Sequence, residues 1–176
     1  EHDPNIIREI ISKYPFGFLS GCDKENKPVA TQVPMFLTER NGKEFISGHF
    51  MKNTDHHKAF SHNENALVVF TGAYTYVSGT WYSDPQTAST INYMSVHVKG
   101  ILRFTDDEGL KNILRITSLH FEDQKPTSTT FDQLPVAYTE RVMKAAIGFE
   151  IEITEIDTVF KLSQDRDKQS YNNIIE

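Results

Sequence analysis

The chain begins with a helical pattern of apolar positions. Asp3 can cap this segment, Pro4 suits its first turn, and Pro15 stops it. The isoleucines between these signals recur on one face of a helix, at Ile6, Ile7, Ile10 and Ile11. The pattern therefore predicts an amphipathic helix over residues 4–14.

Three strands are predicted to follow this helix. Residues 16–22 and 28–37 are apolar segments joined by the polar turn 23–27, which indicates a hairpin. Asn41-Gly42 is a stronger hairpin signal, because both residue types tolerate the positive φ angles of a two-residue turn. The third strand, which ends near Ser47, should therefore run antiparallel to the second.

Longer apolar runs predict the next strands. The run 66–70 suits a strand buried on both faces, and a turn at Thr71-Gly72 would pair it with a strand over 73–78. Residues 91–104 predict a long strand with a bulge or bend at Gly100.

The rest of the chain alternates helices, loops and one more strand. Apolar and polar residues alternate over 146–160, as in a half-buried strand. Helices are predicted from residue 105 onward, at 134–144 and at 165–176, and loops at 82–89 and 124–130. About six antiparallel strands with peripheral helices predict an α+β fold built on a β-barrel. At 176 residues, one domain over 1–176 is expected.

The junction between the third strand and the next helix has the residues of an anion site. Thr54 or Asp55 can cap a short helix whose first N–H groups would face an anion. Lys52 adds a positive charge, and further side-chain donors come from Ser47, Asn53 and Thr54. This junction is therefore predicted to bind a phosphate.

Composition and charge restrict the partners and the compartment. The formal charge of -6 and the pI near 5.6 give no general attraction for nucleic acid. Cys22 is the single cysteine, so a reducing cytoplasm is the expected location. No signal peptide or membrane-spanning run is predicted.

The sequence contains little that indicates a metal site or a catalytic nucleophile. The seven histidines do not form a His-Glu-x-x-His motif, and His56-His57 would point to different helix faces. No Gly-x-Ser-x-Gly elbow, P-loop or Gly-x-Gly-x-x-Gly is present. We therefore expect no metal site, and no side chain stands out as a catalytic base.

Several motifs resemble one known family in the same order along nearly the whole chain. They are Pro34-Met35, Ser47-Gly48-His49, Val77-Ser78-Gly79-Thr80-Trp81-Tyr82, Asn92-Tyr93, Val96-His97-Val98-Lys99-Gly100, Gly148-Phe149-Glu150-Ile151 and Lys161-Leu162-Ser163-Gln164-Asp165-Arg166. The chain is similar to PaiB-type proteins, the FMN-binding negative transcriptional regulators. These belong to the flavin split-barrel superfamily typified by pyridoxamine 5'-phosphate oxidase.

The resemblance implies an antiparallel six-stranded split β-barrel that forms a homodimer with FMN at the interface. Lys52 stands where PaiB-type chains usually have an arginine that contacts the phosphate. The FMN-binding residues that the resemblance and the anion site together predict are Ser47, His49, Lys52, Asn53, Thr54, Ser78, Trp81, Tyr82, Gln164 and Arg166. Lys161 belongs to the same C-terminal segment as the last two.

Two functions remain open from the sequence. One is a flavin-dependent oxidoreductase or flavin-responsive regulator; the other is a negative transcriptional regulator that acts through DNA or a protein partner without flavin turnover. The acidic charge and the lack of a helix-turn-helix signal argue against direct DNA binding. A third hypothesis replaces the flavin with haem or another planar ligand, as in other split barrels.

Overall fold

A closed antiparallel barrel forms the centre of the molecule in the computed structural model, which describes residues 3–122 and 127–176. Within these residues the six strands are β1 (Phe16–Cys22), β2 (Pro28–Arg40), β3 (Lys43–Met51), β4 (Asn65–Val77), β5 (Thr90–Phe104) and β6 (Ala146–Lys161). Their order around the barrel is β1-β2-β3-β6-β5-β4. The helices are α1 (Pro4–Lys13), α2 (Asp55–Phe60), α3 (Asp107–Glu122), α4 (Val136–Ala145) and α5 (Lys168–Ile175). The predicted α+β fold, a six-stranded split barrel with peripheral helices, is confirmed.

The predicted helix cap and hairpin turn are present in the first part of the chain. The Asp3 carboxylate accepts the Asn5 N–H at 2.9 Å and caps α1. Asn41 and Gly42 have φ angles of 54° and 73°, which suit the two-residue turn between β2 and β3. The predicted antiparallel pairing of these strands is therefore confirmed.

The predicted hairpin at Thr71-Gly72 is wrong. The chain continues through these residues as the single strand β4, and its pairing with β5 shifts register between Thr71 and Tyr74. Gly72 is not among the residues with a positive φ, and it packs against Met94 of β5. An extra residue is thus absorbed as a β-bulge, because continued pairing with the long β5 satisfies the backbone groups that a turn would release.

The predicted irregularity at Gly100 is confirmed. The pairing of β5 with β6 shifts register between Lys99 and Gly100. A side chain at Gly100 would collide with the backbone oxygen of Glu152, so the close approach of the two strands requires glycine.

The barrel interior is filled by large apolar side chains. The largest fully buried ones on the strands are Phe70, Phe149, Leu19, Met35, Ile46, Leu102 and Ile151. Ile10 and Ile11 of α1 and Phe60 of α2 join this core. The run 66–70 is buried on alternate residues, so the prediction that both faces are buried is wrong.

The outer helices lie close to their predicted positions. The helices predicted from 105, at 134–144 and at 165–176 correspond to α3, α4 and α5. Leu110 and Leu114 of α3 form a second apolar cluster with Phe131 and Ala146 outside the barrel. The predicted loop 124–130 includes residues 123–126, which lie outside the described residues. Among the helices of the described chain, none combines the length and apolar character that a membrane crossing requires.

Candidate functional site

The end of β3 leads directly into α2, as the anion-site prediction requires. Thr54 is the cap, because its Oγ1 accepts the His57 N–H at 3.3 Å and donates to the Met51 carbonyl at 3.0 Å. These two bonds fix the junction between strand and helix.

Other donors at this junction already have partners within the chain. The Asn53 N–H donates to Nδ1 of His57 at 3.0 Å, and Asn53 has a φ of 66°. The His56 N–H donates to the Asp55 carboxylate at 2.8 Å. A phosphate would therefore have to replace these contacts or use side-chain groups beside them.

Lys52 connects the junction to the C-terminal end of α4. Its N–H donates to the Ala145 carbonyl at 2.8 Å, and its ammonium group lies 3.3 Å from the Lys144 carbonyl and 3.5 Å from the Met143 carbonyl. Positive charge is favourable at this end of a helix. Beside the ammonium group is a cavity of about 570 Å³, lined by Lys52, Asp107, Lys111, Phe131, Thr139, Glu140, Met143 and Lys144.

Ser47 and His49 lie on the outer face of β3. The Ser47 hydroxyl is buried and lies 2.6 Å from the Thr38 hydroxyl. His49 pairs with Gly148 of β6, and burial lowers the pKa of its imidazole. The neutral ring can donate or accept a hydrogen bond but adds no charge at neutral pH.

Ser78, Trp81 and Tyr82 lie beyond the end of β4. The Ser78 hydroxyl accepts the Thr80 N–H at 3.3 Å and starts a single 3-10 turn over Gly79–Trp81. Trp81 is 39% exposed, whereas Tyr82 is 7% exposed. The tryptophan side chain is thus accessible to a planar ligand, whereas the tyrosine side chain is buried.

Gln164 and Arg166 lie in the turn after β6, next to this aromatic pair. The Arg166 guanidinium lies 4.9 Å from the centre of the Tyr82 ring, a cation–π contact. Gln164 closes the turn, since its Nε2 donates to the Phe160 carbonyl at 2.8 Å and its Oε1 accepts the Leu162 N–H at 2.7 Å. Lys161 donates to the Thr90 hydroxyl at the same end of the barrel.

The predicted site residues thus form two groups at opposite ends of β6. Below, "phosphate group" denotes a set of residues, those predicted to bind the FMN phosphate: Ser47, His49, Lys52, Asn53 and Thr54. "Ring group" denotes the residues predicted to bind the flavin ring: Ser78, Trp81, Tyr82, Gln164 and Arg166. Met51 pairs with Ala146 at the start of β6, whereas Tyr93 pairs with Lys161 at its end. Sixteen residues of strand span roughly 50 Å when straight. Within one chain the two groups therefore lie about a strand length apart.

Each group contains a buried polar atom that has no hydrogen-bond partner in the described part of the chain. They are Nδ1 of His49 in the phosphate group and the hydroxyl of Tyr82 in the ring group. A buried polar atom without a partner costs about 1–3 kcal/mol, so a ligand atom that pairs with it would be favoured. Both groups therefore suit a polar ligand such as FMN, whose polar atoms could pair with these two buried atoms.

Thr105 is a residue that the sequence prediction missed. Its hydroxyl is also buried and has no hydrogen-bond partner among the described residues. It lies where a side chain on Gly148 would be, and Gly148 pairs with His49. The sequence indicates only a helix start at Thr105, so nothing local could have placed it near His49.

Acidification is expected to weaken the junction through His57. Burial, followed by repulsion from Lys52, His56 and Lys58, lowers the pKa of His57 in the folded protein. The unfolded chain therefore binds this proton more readily, and stability should fall as the pH drops through about 6.5 toward the lower folded value. Protonation at Nδ1 would also break the bond from the Asn53 N–H.

Urea unfolding at pH 8 and pH 5.5 measures this effect. His57→Gln should lose less stability between the two pH values than the unchanged chain. Equal losses in both proteins would contradict the prediction.

No three or more His, Cys, Asp or Glu side chains of the described residues are arranged to hold a metal ion.

Comparison with known proteins gives both a family and a fold. A family model described as "Putative FMN-binding domain" matches residues 1–155. The "Protease synthase and sporulation protein PAI 2" of Bacillus subtilis is 31% identical over 153 residues, which cover 87% of this chain and 73% of that protein.

Solved structures share the architecture at low sequence identity. The flavocytochrome Anf3 from Azotobacter vinelandii aligns with a TM-score of 0.70 at 17% identity, over 98% of this chain and 74% of that one. A "Putative Pyridoxamine 5'-phosphate oxidase" from Listeria innocua aligns with a TM-score of 0.53 at 14% identity, over 88% and 96%. The likeness supports the split-barrel fold, and the family match adds the cofactor. The chain therefore belongs to the PaiB-type family of FMN-binding split-barrel domains, and FMN is its cofactor.

Proposed function

We propose that the protein is a homodimeric flavoprotein with two FMN sites, each built from the phosphate group of one chain and the ring group of its partner. The separation of the two groups along β6 carries this proposal. A twofold axis would bring the phosphate group of each chain next to the ring group of the other chain, which gives two equivalent sites.

An apolar strip on the barrel surface supports a dimer. Phe16 and Phe18 on the outer face of β1 are 57% and 43% exposed, and Val159 on the same face of the sheet is 37% exposed. Phe18 pairs with the half-buried Val69 of β4, so the strip continues from β1 onto the neighbouring strand. Neighbouring apolar side chains on a surface are typical of protein interfaces.

The side chains would bind and orient the cofactor. Lys52 would offer charge to the phosphate, and His49 would offer a neutral hydrogen-bonding group. In the ring group, Trp81 would cover an aromatic face, while Arg166 and Gln164 would donate to polar edges. When bound, FMN supplies the electron transfer, so we propose oxidation–reduction of a small molecule in the space beside the ring group.

Lys52→Ala is expected to weaken FMN binding by about tenfold or more, since a hydrogen bond to a charged group contributes about 1.5–3 kcal/mol. Quenching of flavin fluorescence during titration of FMN-free protein measures the affinity. Lys52→Arg should retain most of it. Lys43→Ala, at the opposite end of β3 from Lys52 and paired with Glu152, is the matched control and should bind normally.

A mixing experiment tests the shared site. Lys52→Ala and Arg166→Ala chains should each bind FMN weakly alone. Refolding them together should restore tight binding at about a quarter of the sites, because half of the dimers are mixed and each has one intact site. If mixed dimers form without any recovery, the site lies within one chain and the proposal fails.

A regulatory function is the second candidate. The Bacillus subtilis relative is named for protease synthesis and sporulation, which favours a regulatory role for this chain in a reducing cytoplasm. Its formal charge of -6 favours a protein partner over direct DNA contact. Binding to promoter DNA that falls steeply with added salt would support direct regulation, and no binding at low salt would exclude it.

A further inference from the structure

The C-terminal segment from Ser163 to Ile175 contacts the aromatic part of the ring group. It lies beyond residues 1–155, which match the family model. Helix α5 packs beside the 3-10 turn that carries Trp81. The contacts between these segments are specific hydrogen bonds.

Ser170 of α5 lies at the centre of these bonds. Its residue is only 1% exposed, and its hydroxyl accepts the Ser83 N–H at 2.9 Å. The same hydroxyl donates to the Asp167 carboxylate at 2.6 Å, and the Ser83 hydroxyl donates to that carboxylate at 3.0 Å. Ser83 is thus held through both its backbone and its side chain.

The Asp167 carboxylate is ionised and accepts the hydrogen bonds of this arrangement. Hydrogen bonds from the Ser170 hydroxyl and N–H, followed by the Ser83 hydroxyl, lower the pKa of Asp167 to about 2. The carboxylate is therefore an acceptor at all pH values at which FMN binding would be measured. It also caps α5 through the Gln169 and Ser170 N–H groups.

Two further contacts connect the same segments. The side-chain amide of Asn173 donates to the Trp81 carbonyl at 2.9 Å. Arg166 covers the Tyr82 ring. Trp81, Tyr82 and Ser83 are consequently each bound by a different residue of the C-terminal segment.

We propose that Ser170 and Asp167 are positioning residues, which hold Trp81–Ser83 against α5 and so fix the ring end of the FMN site. The anchoring follows from the hydrogen bonds themselves, and its effect on FMN rests on the proposed function. Neither residue need touch the cofactor.

The single tryptophan of the chain reports on this anchoring. In FMN-free full-length protein, Ser170→Ala and Asp167→Asn should shift Trp81 emission to longer wavelength and lower its anisotropy. FMN affinity should fall by about three- to tenfold, as expected for the loss of one or two hydrogen bonds. The thermal unfolding of the barrel, followed by far-UV circular dichroism, should stay unchanged because α5 lies outside it.

Two matched variants serve as controls. Ser89→Ala removes an exposed hydroxyl from the loop after Tyr82, and Glu176→Gln removes a negative charge next to α5. Both should leave Trp81 emission and FMN affinity unchanged.

Unchanged emission and anisotropy in both Ser170→Ala and Asp167→Asn would overturn the proposal. Altered emission with unchanged FMN affinity would support the anchoring and contradict the proposed contact of Trp81 with FMN. The two results therefore separate this inference from the proposed function.

Discussion

Phe18→Lys is expected to give a monomer that no longer retains FMN. Phe18 is 43% exposed on β1, and its ring lies in the apolar strip with Phe16 and Val69. A lysine at the centre of an apolar interface would lose its hydration, and loss of a central aromatic residue typically costs 2 kcal/mol or more. The dimer should therefore dissociate at least about thirtyfold more readily.

Loss of FMN should follow dissociation, because each monomer would keep the phosphate group and the ring group at opposite ends of the barrel. Sedimentation velocity gives the assembly state, and flavin absorbance of the same fractions gives the bound cofactor. The fold should persist, since Phe18 points away from the core residues Gly17 and Leu19.

Phe121→Lys is the matched control for this substitution. Phe121 is 55% exposed on α3, a helix outside the barrel strands, where its ring contacts those of Phe36 and His120. This variant should remain dimeric and bind FMN. A dimeric, FMN-loaded Phe18→Lys protein would contradict the proposed interface.

Two glycine-containing residue pairs show what the sequence could predict of the fold. Asn41-Gly42 forms the predicted hairpin, because its two positive φ angles are a local preference of those residues. Thr71-Gly72 carries a similar local signal but continues as strand, because the long partner β5 extends past it and favours further pairing. Such pairing depends on residues more than twenty positions away and cannot be read from the turn itself.

For the candidate site, the limit again lies in the tertiary contacts. The sequence names donors such as Lys52 and Asn53, and the family supplies the cofactor. It does not give their partners: Lys52 contacts carbonyls of α4, and the Asn53 N–H donates to His57. Thr105 and Ser170 were missed because their relevance comes from tertiary contacts with Gly148 and Ser83.

Phe149→Ala should produce the largest loss of stability among these variants. Phe149 is fully buried on β6, between Gly48 of β3 and Phe104 of β5, and its ring stacks on Phe50 at 5.1 Å. Removing a buried phenyl ring costs about 3–5 kcal/mol, through lost burial and the cavity that remains. Domains of this kind have a total stability of about 5–15 kcal/mol, so a substantial unfolded fraction is expected on warming.

Gly48 explains why the loss of the Phe149 ring should weaken FMN binding as well as the core packing. A side chain on Gly48 would meet the Phe149 ring, so this ring sets the position of β3 shortly before Lys52. Even the folded fraction of Phe149→Ala should therefore bind FMN more weakly, because the phosphate group would be less firmly placed.

Urea unfolding at one fixed protein concentration measures the loss, since dimer formation makes stability depend on concentration. Phe121→Ala removes the same ring from an exposed position and should cost about 1 kcal/mol or less. The difference between the two variants isolates the contribution of the barrel core. A loss below about 1 kcal/mol for Phe149→Ala would mean that the barrel interior can close around the missing ring, and would contradict a tightly packed support for β3.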